Sequence, residues 1–297
     1  MKIVNVIGGL GNQMFQCAFA IALQKVYTDE AVKLDISHFN GYGLHNGYEV
    51  TEIFHHYPIP VADRSELRSV SRYIPNYKLS RAVRRYLPKR KTEYLQSYRQ
   101  SYIYDATTLK GNDGYHYYEG YWMCPAYFDF CKEDVIEAYT FPEFDTDENK
   151  EYARLLEMNN SVTIHVRRGD YVGAESFKDI CTLTYYKNAI REAKTVIDKP
   201  VFFIFSNDPQ WCKENLGELF GDDKVMFVGN NKGKESYRDM QLMALARCNI
   251  LANSSFSWWG AYLNKRADQV VCCPEKWVNN MEHKDHYVKG WIKIPIQ

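Results

Sequence analysis

The pattern of apolar and polar positions separates regions of the chain that are easy to interpret from one that is not. Residues 3–7 form a short apolar, β-branched run, a glycine-rich turn follows, and residues 12–26 show helical spacing of apolar side chains. A second short run at 31–34 completes the order strand, helix, strand, which is typical of a βαβ unit and of a parallel sheet. Residues 41–118 are rich in Tyr, His, Arg and Pro with weak periodicity, so they predict short helices and long loops.

Beyond residue 151, apolar runs alternate regularly with helical segments. The predicted strands are 161–166, 201–205, 225–228, 249–252 and 269–273, and the predicted helices are 184–197, 209–219 and 237–247. This alternation predicts a doubly wound parallel sheet, so the fold class is α/β. The segment 141–150 contains proline and many acidic residues, as connections between domains do. We therefore predict an N-terminal domain over 1–150 and a C-terminal domain over 151–297.

Polar clusters follow three of the predicted strands of the second domain. One lies at 165–170, one at 206–208, and one at 253–257, where it also begins a helix. Ligands bind at the carboxyl ends of the strands in doubly wound sheets, where loops and helix N-termini converge. The three clusters therefore predict one binding site.

Two consecutive arginines in the first cluster are its clearest chemical feature. Arg167 and Arg168 follow an apolar strand and precede Gly169 and Asp170. A planar guanidinium group can bind two oxygens at once and keeps its charge, which suits a diphosphate. Asp170 can hold one of the arginines in place. The alternative is a purely structural Arg–Asp ion pair, because such networks are common.

The third cluster offers further anion contacts. Ser254, Ser255 and Ser257 surround the predicted start of a helix, where hydroxyl and N–H groups bind phosphate oxygens without a metal. Alternatively, Ser254 or Ser255 only caps the helix while the neighbouring aromatic side chains pack in the core.

The turn at 8–14, with the sequence GGLGNQM, resembles a nucleotide loop, because glycines let a ligand approach the backbone closely. It is a poor dinucleotide fingerprint, since Met14 stands where a third small residue is expected. An NAD-dependent dehydrogenase is therefore a weak rival.

Composition and charge exclude several classes of protein. The 297 residues, 45% of them hydrophobic, are typical of a globular protein, and 37 basic residues balance 37 acidic ones. This balance predicts no nucleic-acid partner, so any anion site is local. The exception is the basic stretch that begins at Arg81 and ends at Lys91. It is typical either of a solvated helix face or of a peripheral contact with anionic lipid headgroups.

Several features bear on location and metals. We find no apolar run of the roughly 18 residues that span a bilayer and no secretory signal, so we expect a cytoplasmic protein, alternatively peripheral on the inner membrane face. The eight cysteines are scattered without metal spacing and predict buried thiols. Asp145 and Asp147 have the spacing of a carboxylate metal pair, but they lie in the charged connecting segment, so we expect no metal site.

Three motifs, in this order, match a known family. GGLGNQMFQ at 8–16, HVRRGDY at 165–171 and NSSFSWW at 253–259 resemble the signatures of the bacterial α-1,2-fucosyltransferases, glycosyltransferase family 11, which are related to the α-1,6- and protein O-fucosyltransferases. The segment EGYW at 119–122 also resembles a family segment, although MCPA at 123–126 replaces its usual polar residues.

The resemblance implies a GT-B-like fold, in which two Rossmann-like domains face a cleft and the second binds GDP-fucose. It implies an inverting transfer of fucose to the 2-hydroxyl of a galactoside acceptor, with no metal or other cofactor. On the matching positions, Arg167 would bind the β-phosphate, and His165 and Asp208 would lie near guanosine. The further donor contacts that we expect are Gly9, Gly11, Asn12, Gln13, Arg168, Asn207, Ser254, Ser255, Phe256 and Ser257.

An inverting displacement also needs a base near the acceptor hydroxyl. Glu175 lies ten residues after His165, which is the offset of a glutamate proposed as base in the related α-1,6-fucosyltransferases; it is equally typical of an exposed loop. Asp170 is the second candidate.

Two other functions stay open from the sequence. One is a glycosyltransferase that uses another nucleotide sugar. The other is a carbohydrate-binding protein without catalysis, because 24 tyrosines and six tryptophans suit sugar stacking. Neither the acceptor glycan nor the oligomeric state is specified by these patterns.

Overall fold

The chain forms two compact units. The computed structural model describes residues 1–110, 114–171 and 173–297, and the side chain of Asp170 also lies outside the described residues. The first unit comprises 1–142 and 284–287, and the second comprises 143–283 and 288–297. The division falls at Pro142 and Glu143 rather than near residue 150, because the helix that starts at Asp147 packs within the second unit.

The first unit is built on a parallel sheet of four strands. The strands are β1 (Lys2–Asn5), β2 (Val32–Asp35), β3 (Glu93–Leu95) and β4 (Tyr117–Glu119), in the order β2-β1-β4-β3. The helices are α1 (Leu10–Val26), α2 (Val50–Ile53), α3 (Arg64–Val70), α4 (Tyr77–Arg84), α5 (Ala106–Leu109) and α6 (Lys132–Ala138). The predicted βαβ opening is confirmed. We did not predict β3 and β4, which fall in the weakly periodic part of the chain around 41–118.

An apolar helix and an aromatic cluster form the core of the first unit. From Leu10 to Leu23, α1 is buried on almost every side, which explains its high apolar content. Phe19 stacks on Trp122 with ring centroids 4.2 Å apart, and the ring of Tyr127 meets Phe19 edge-on at 5.5 Å. Much of the aromatic content between α1 and α6 therefore serves packing.

The second unit contains a larger parallel sheet. Its strands are β5 (Ser161–Val166), β6 (Val201–Ser206), β7 (Lys224–Val228), β8 (Cys248–Ile250), β9 (Val270–Pro274) and β10 (Ile292–Ile294). Its helices are α7 (Asp147–Met158), α8 (Leu183–Val196), α9 (Pro209–Leu216), α10 (Tyr237–Met243) and α11 (Ser255–Tyr262). All strands and helices predicted beyond residue 151 are confirmed, whereas α7 and the short edge strand β10 were not predicted.

The strand order of this second sheet is β10-β9-β8-β5-β6-β7, with every pair parallel. From β5 the chain proceeds to β6 and β7 on one side, and it then returns to β8 on the other side. The order therefore reverses between β5 and β8, and in such sheets the crevice at the carboxyl ends of those two strands is the usual ligand position. The predicted α/β class with a doubly wound parallel sheet is confirmed.

Two further expectations concern thiols and membranes. All eight cysteines are unbridged, and seven of them are buried, as predicted. Within the described ranges, no helix has both the length and the apolar character that crossing a bilayer requires.

Candidate functional site

The polar clusters predicted from the sequence lie at the crevice of the second unit. Residues 165–168 complete and follow β5, 206–208 complete and follow β6, and 253–257 connect β8 to α11. β5 pairs with β6 on one side and with β8 on the other. The fold thus brings together three segments that are up to 92 residues apart in the sequence.

His165 places a neutral imidazole at the end of β5. The side chain is buried, and its ring lies 5.6 Å from the ring of Phe256 on α11. Burial, and secondarily the charge of Arg167, lower the pKa of His165 to about 3. The Nδ1 atom is buried and has no hydrogen-bond partner among the described residues. A buried polar atom without a partner is uncommon in folded proteins and suits a site that a ligand completes.

Arg168 is held by three groups that follow β6. Its backbone N–H donates to Oδ1 of Asn207 at 3.0 Å, and its Nε donates to the carboxylate of Asp208 at 3.3 Å. Its guanidinium lies 3.9 Å from the centre of the Trp211 ring, which is the geometry of a cation–π contact. The side chain is 29% exposed, so the group is ordered while part of it still faces solvent.

The loop conformation around Gly169 is required by this arrangement. Gly169 has φ +26°, and a Cβ atom there would lie 2.4 Å from Nδ2 of Asn207. Any larger residue would displace the Asn207 amide that accepts from the Arg168 backbone. Asp208 in turn caps α9 by accepting from the N–H of Trp211 at 3.2 Å, so the same carboxylate fixes a helix start and an arginine.

Arg167 lies beside a cavity of about 170 Å³ within the second unit. Its guanidinium carbon is 5.6 Å from the centre of the Tyr171 ring. The cavity is lined by Val166, Arg167, Arg168, Tyr171, Phe177, Lys178, Asp179, Cys181, Thr182, Leu183, Trp211 and Asn253. Three of these are cations, Arg167, Arg168 and Lys178, and one is a carboxylate, Asp179. Arg168 and Lys178 also pair with Asp208 and Glu175, which lie outside the lining, so Arg167 is the lining cation best placed for an anionic ligand.

The helix start after β8 has mixed roles. Ser254 caps α11 by accepting from the N–H of Phe256 at 3.3 Å, as the capping alternative predicted. Trp258 and Trp259 are fully buried and belong to the core. Ser255 and Phe256 keep partial exposure at the first turn of α11.

Ser257 does not match our expectation that it surrounds the diphosphate. It is fully buried, and its hydroxyl lies 3.2 Å from the carbonyl oxygen of Ala252 and 3.3 Å from that of Ser254. A hydroxyl carries one hydrogen, and here the backbone uses it. Ser257 therefore stabilises the turn that precedes α11.

Asn253 and Cys181 anchor neighbouring loops. The Asn253 amide donates to the carbonyl oxygens of Phe177 and Trp277, at 3.3 and 3.2 Å, and its Oδ1 accepts from the Cys181 thiol at 3.4 Å. Burial raises the pKa of Cys181 to about 12, so this cavity-lining sulfur is a protonated thiol and a poor nucleophile.

The structure describes the side chain of only one of the two candidate bases, Glu175. Glu175 lies on the loop after β5, its side chain is 81% exposed, and its carboxylate pairs with Lys178 at 2.7 Å. This placement favours the exposed-loop alternative stated above. Asp170, the other candidate base and the expected partner of an arginine, lies outside the described residues as far as its side chain is concerned.

The glycine turn of the first unit is held by its own side chains. Gly8 adopts φ +100°, and Gly9 precedes α1, which contains Gly11 and Asn12. The Gln13 amide is fully buried; it donates to the carbonyl oxygens of Gly8 and Gly47, at 2.9 and 2.7 Å, and accepts from the N–H of Glu49 at 2.9 Å. Both of its hydrogens are therefore consumed, which does not fit the expectation that Gln13 faces the donor.

Trp211 and Lys178 line the cavity and were not named from the sequence, whereas Tyr171 was named only as the last residue of the HVRRGDY motif. Trp211 lies three positions after the strand-end residue Asp208, so a search for aromatic residues in the first turn of the following helix could have found it. Lys178 lies in a stretch without clear periodicity, where no pattern indicates which side chains turn inward.

Comparison with known proteins assigns the chain to a family. The model of "Glycosyl transferase family 11" matches residues 80–295. The chain belongs to glycosyl transferase family 11. This match contains all three strand-end clusters of the second unit, whereas the glycine turn lies outside it.

Individual relatives agree with membership of family 11. Alpha-1,2-colitosyltransferase of Escherichia coli is 33% identical over 98% of each chain. Galactoside alpha-(1,2)-fucosyltransferase 1 of Saimiri sciureus is 29% identical over 46% of this chain and 40% of its own length. The crystal structure of the fucosyltransferase NodZ from Bradyrhizobium has the same fold, with a TM-score of 0.51, 15% identity, and coverage of 87% of this chain and 90% of that chain.

Proposed function

We propose that this family 11 glycosyltransferase transfers L-fucose from GDP-fucose to the 2-hydroxyl of a terminal galactose, with inversion and without a metal. The observation that carries the proposal is the crevice at the end of β5. There the Nδ1 of buried His165, which has no hydrogen-bond partner among the described residues, lies in the same segment as Arg167 and Arg168. Cations, a neutral imidazole and a helix start together suit a nucleoside diphosphate. The activity of the Saimiri sciureus relative, a galactoside fucosyltransferase, supports fucose as the sugar and a galactoside as the acceptor.

The reaction needs groups that stabilise the departing diphosphate and a separate base for the acceptor hydroxyl. The acceptor oxygen forms a bond to C1 of fucose, the bond from C1 to the β-phosphate oxygen breaks, and a base takes the hydroxyl proton. Negative charge grows on the departing GDP, and Arg167 stabilises it more in the transition state than in the ground state. Inversion of a β-linked donor yields an α-linkage, which agrees with the names of the relatives.

Colitose is a second candidate for the transferred sugar. The relative that matches 98% of the chain is a colitosyltransferase. Colitose is L-fucose without its 3-hydroxyl, so the two donors differ by a single polar group. A site that binds that hydroxyl rejects the deoxy sugar strongly, whereas a site with an apolar wall there discriminates weakly.

The test is a transfer assay with GDP-fucose and GDP-colitose in parallel, a panel of galactosides, and EDTA. We expect an α-1,2-linked product, identified by NMR, at a rate that EDTA does not change. Transfer from GDP-colitose and not from GDP-fucose would change the proposed donor but would leave the proposed mechanism unchanged. Strict metal dependence would overturn the metal-independent mechanism. Binding of galactosides without GDP binding would favour the non-catalytic alternative.

A further inference from the structure

The charge of the chain is concentrated in one stretch of the first unit. Residues 67–92 contain nine Lys and Arg and no Asp or Glu. The remainder of the chain therefore holds 28 basic residues against 37 acidic ones. The net charge of zero is therefore the sum of a cationic segment and an acidic remainder. A cationic segment of this kind attracts anionic partners.

Exposed apolar side chains accompany these charges. Leu79 on α4 is 55% exposed, and Tyr86 and Leu87 in the following turn are 81% and 44% exposed. Ten large hydrophobic side chains are exposed in the described part of the chain. Three of them lie within the nine positions 79–87. Exposed apolar residues that cluster, rather than occur singly, indicate an interaction site.

The inward side of the same segment is attached to the rest of the first unit. Arg84 pairs with Glu93 at 3.3 Å and with Glu119 at 3.5 Å, and only 12% of its side chain is exposed. Asn76 caps α4 by accepting from the N–H of Leu79 at 3.1 Å, and Ser80 is buried. The helix is therefore anchored, so its outward side chains are presented from an ordered element.

The outward cations are not neutralised. We define the basic–apolar surface by its members, which are Lys78, Leu79, Arg81, Arg85, Tyr86, Leu87, Lys89, Arg90 and Lys91. Its six cations are all exposed, and none forms an ion pair with a residue that the structure describes. Arg81 donates to the hydroxyl of Tyr77 and Arg90 to the carbonyl oxygen of Arg68, which leaves the positive charge of both in place.

We propose that the basic–apolar surface binds an anionic lipid bilayer. Its charges are complementary to acidic headgroups, and Leu79, Tyr86 and Leu87 can enter the boundary between headgroups and acyl chains. Exposed leucines give no advantage on the phosphate backbone of a nucleic acid, where affinity comes from charge. This inference concerns the first unit and does not depend on the identity of the donor.

The test is co-sedimentation of the full chain with vesicles of phosphatidylcholine alone and of phosphatidylcholine mixed with phosphatidylglycerol. We expect binding to the mixed vesicles only, and weaker binding at high salt because screening reduces the attraction. The variant Arg85→Glu/Lys89→Glu should bind at least about tenfold more weakly. Tyr86→Ser/Leu87→Ser should also weaken binding, and the bound fraction that remains should be more sensitive to salt.

Lys187→Glu/Arg191→Glu is the matched control, because it changes the net charge equally on exposed positions of α8. It should bind as the wild type does, and all variants should keep the wild-type thermal unfolding transition. Equal binding to both vesicle types would overturn the proposal, as would equal loss in the control. Binding of duplex DNA more tightly than of the mixed vesicles would also overturn it and would identify a nucleic-acid surface.

Discussion

Two turns each follow the first strand of a parallel sheet: the glycine turn of the first unit, residues 8–14, and the arginine turn of the second unit, residues 165–169. Their polar groups are used differently. In the glycine turn, Gln13 gives both amide hydrogens to backbone carbonyls, and Gln16 bonds the N–H of Ile7 and the carbonyl oxygen of Gly120. The turn is thus tied to loops that are distant in the sequence. Its polar groups stabilise the fold.

In the arginine turn, polar groups are ordered but not saturated. His165 keeps an unpaired Nδ1 among the described residues, and Arg168 stacks on Trp211 with part of its surface exposed. An unpaired buried group costs free energy, which a ligand can offset by supplying the partner. A polar strand end is therefore a candidate for ligand binding only when the protein does not already use its hydrogen-bonding capacity.

The largest effect is expected from removing the base that accepts the proton of the acceptor hydroxyl. We expect either Asp170→Asn or Glu175→Gln to keep GDP affinity and to lose transfer by about 10²–10⁴-fold, because a missing base slows only the chemical step. Single-turnover transfer and calorimetry with GDP separate the two quantities. If both variants transfer within about threefold of the wild type, neither carboxylate is the base.

Replacing Arg167 tests the arginine turn directly. Arg167→Ala should weaken GDP binding and reduce the transfer rate by about 10²–10³-fold, because the departing diphosphate loses a cation. Calorimetry with GDP and initial-rate assays measure the two effects. Arg191→Ala on the exposed face of α8 is the control and should change neither. Unchanged GDP affinity in Arg167→Ala would remove Arg167 from the donor site.

Replacing His165 separates ligand binding from stability. His165→Phe should weaken GDP binding by about tenfold, because one hydrogen bond to the ligand is lost, without a loss of stability at pH 7, where the imidazole is neutral. Unfolded histidine has a pKa near 6.5, whereas folded His165 has one of about 3.

The pH dependence follows from that difference. Between these two pH values the unfolded chain binds a proton that the folded chain does not, so the stability of the wild type falls as the pH decreases. His165→Phe should lose less stability over this range in urea unfolding at a series of pH values. The exposed His55→Phe variant is the control and should follow the wild type. A steeper pH dependence in His165→Phe than in the wild type would contradict the assignment.

The smallest effect on binding is expected in the glycine turn. Gln13→Ala should lower the free energy of unfolding by about 1–3 kcal/mol, because buried backbone groups of Gly8, Gly47 and Glu49 lose a partner. The folded variant should keep GDP affinity within about twofold. Urea unfolding and calorimetry test both statements, with the exposed Gln100→Ala as control. A large loss of GDP affinity without loss of stability would return Gln13 to the donor site.

Much of the second unit could be predicted because its strands and helices are long enough to show their periods. β5, β6, α8 and α9 lie where the apolar pattern indicates, and the polar clusters follow from the strand ends. The strands β3 and β4 could not be predicted, because the residues around them show little periodicity and tertiary pairing stabilises them. Family membership was also evident from short motifs.

The sequence by itself determined the α/β class, the family and the presence of two arginines at a strand end. Only the tertiary structure decided how each polar group is used. Gln13, Ser257 and His165 lie in similar motifs, yet the first two bond to backbone groups and the third has an unpaired nitrogen among the described residues. The physical reason is that hydrogen bonding depends on the folded positions of the partners. Two partners of Gln13 lie more than 30 positions away in the sequence. The partners of Ser257 are near in the sequence, but only the folded turn brings their carbonyl oxygens to its hydroxyl.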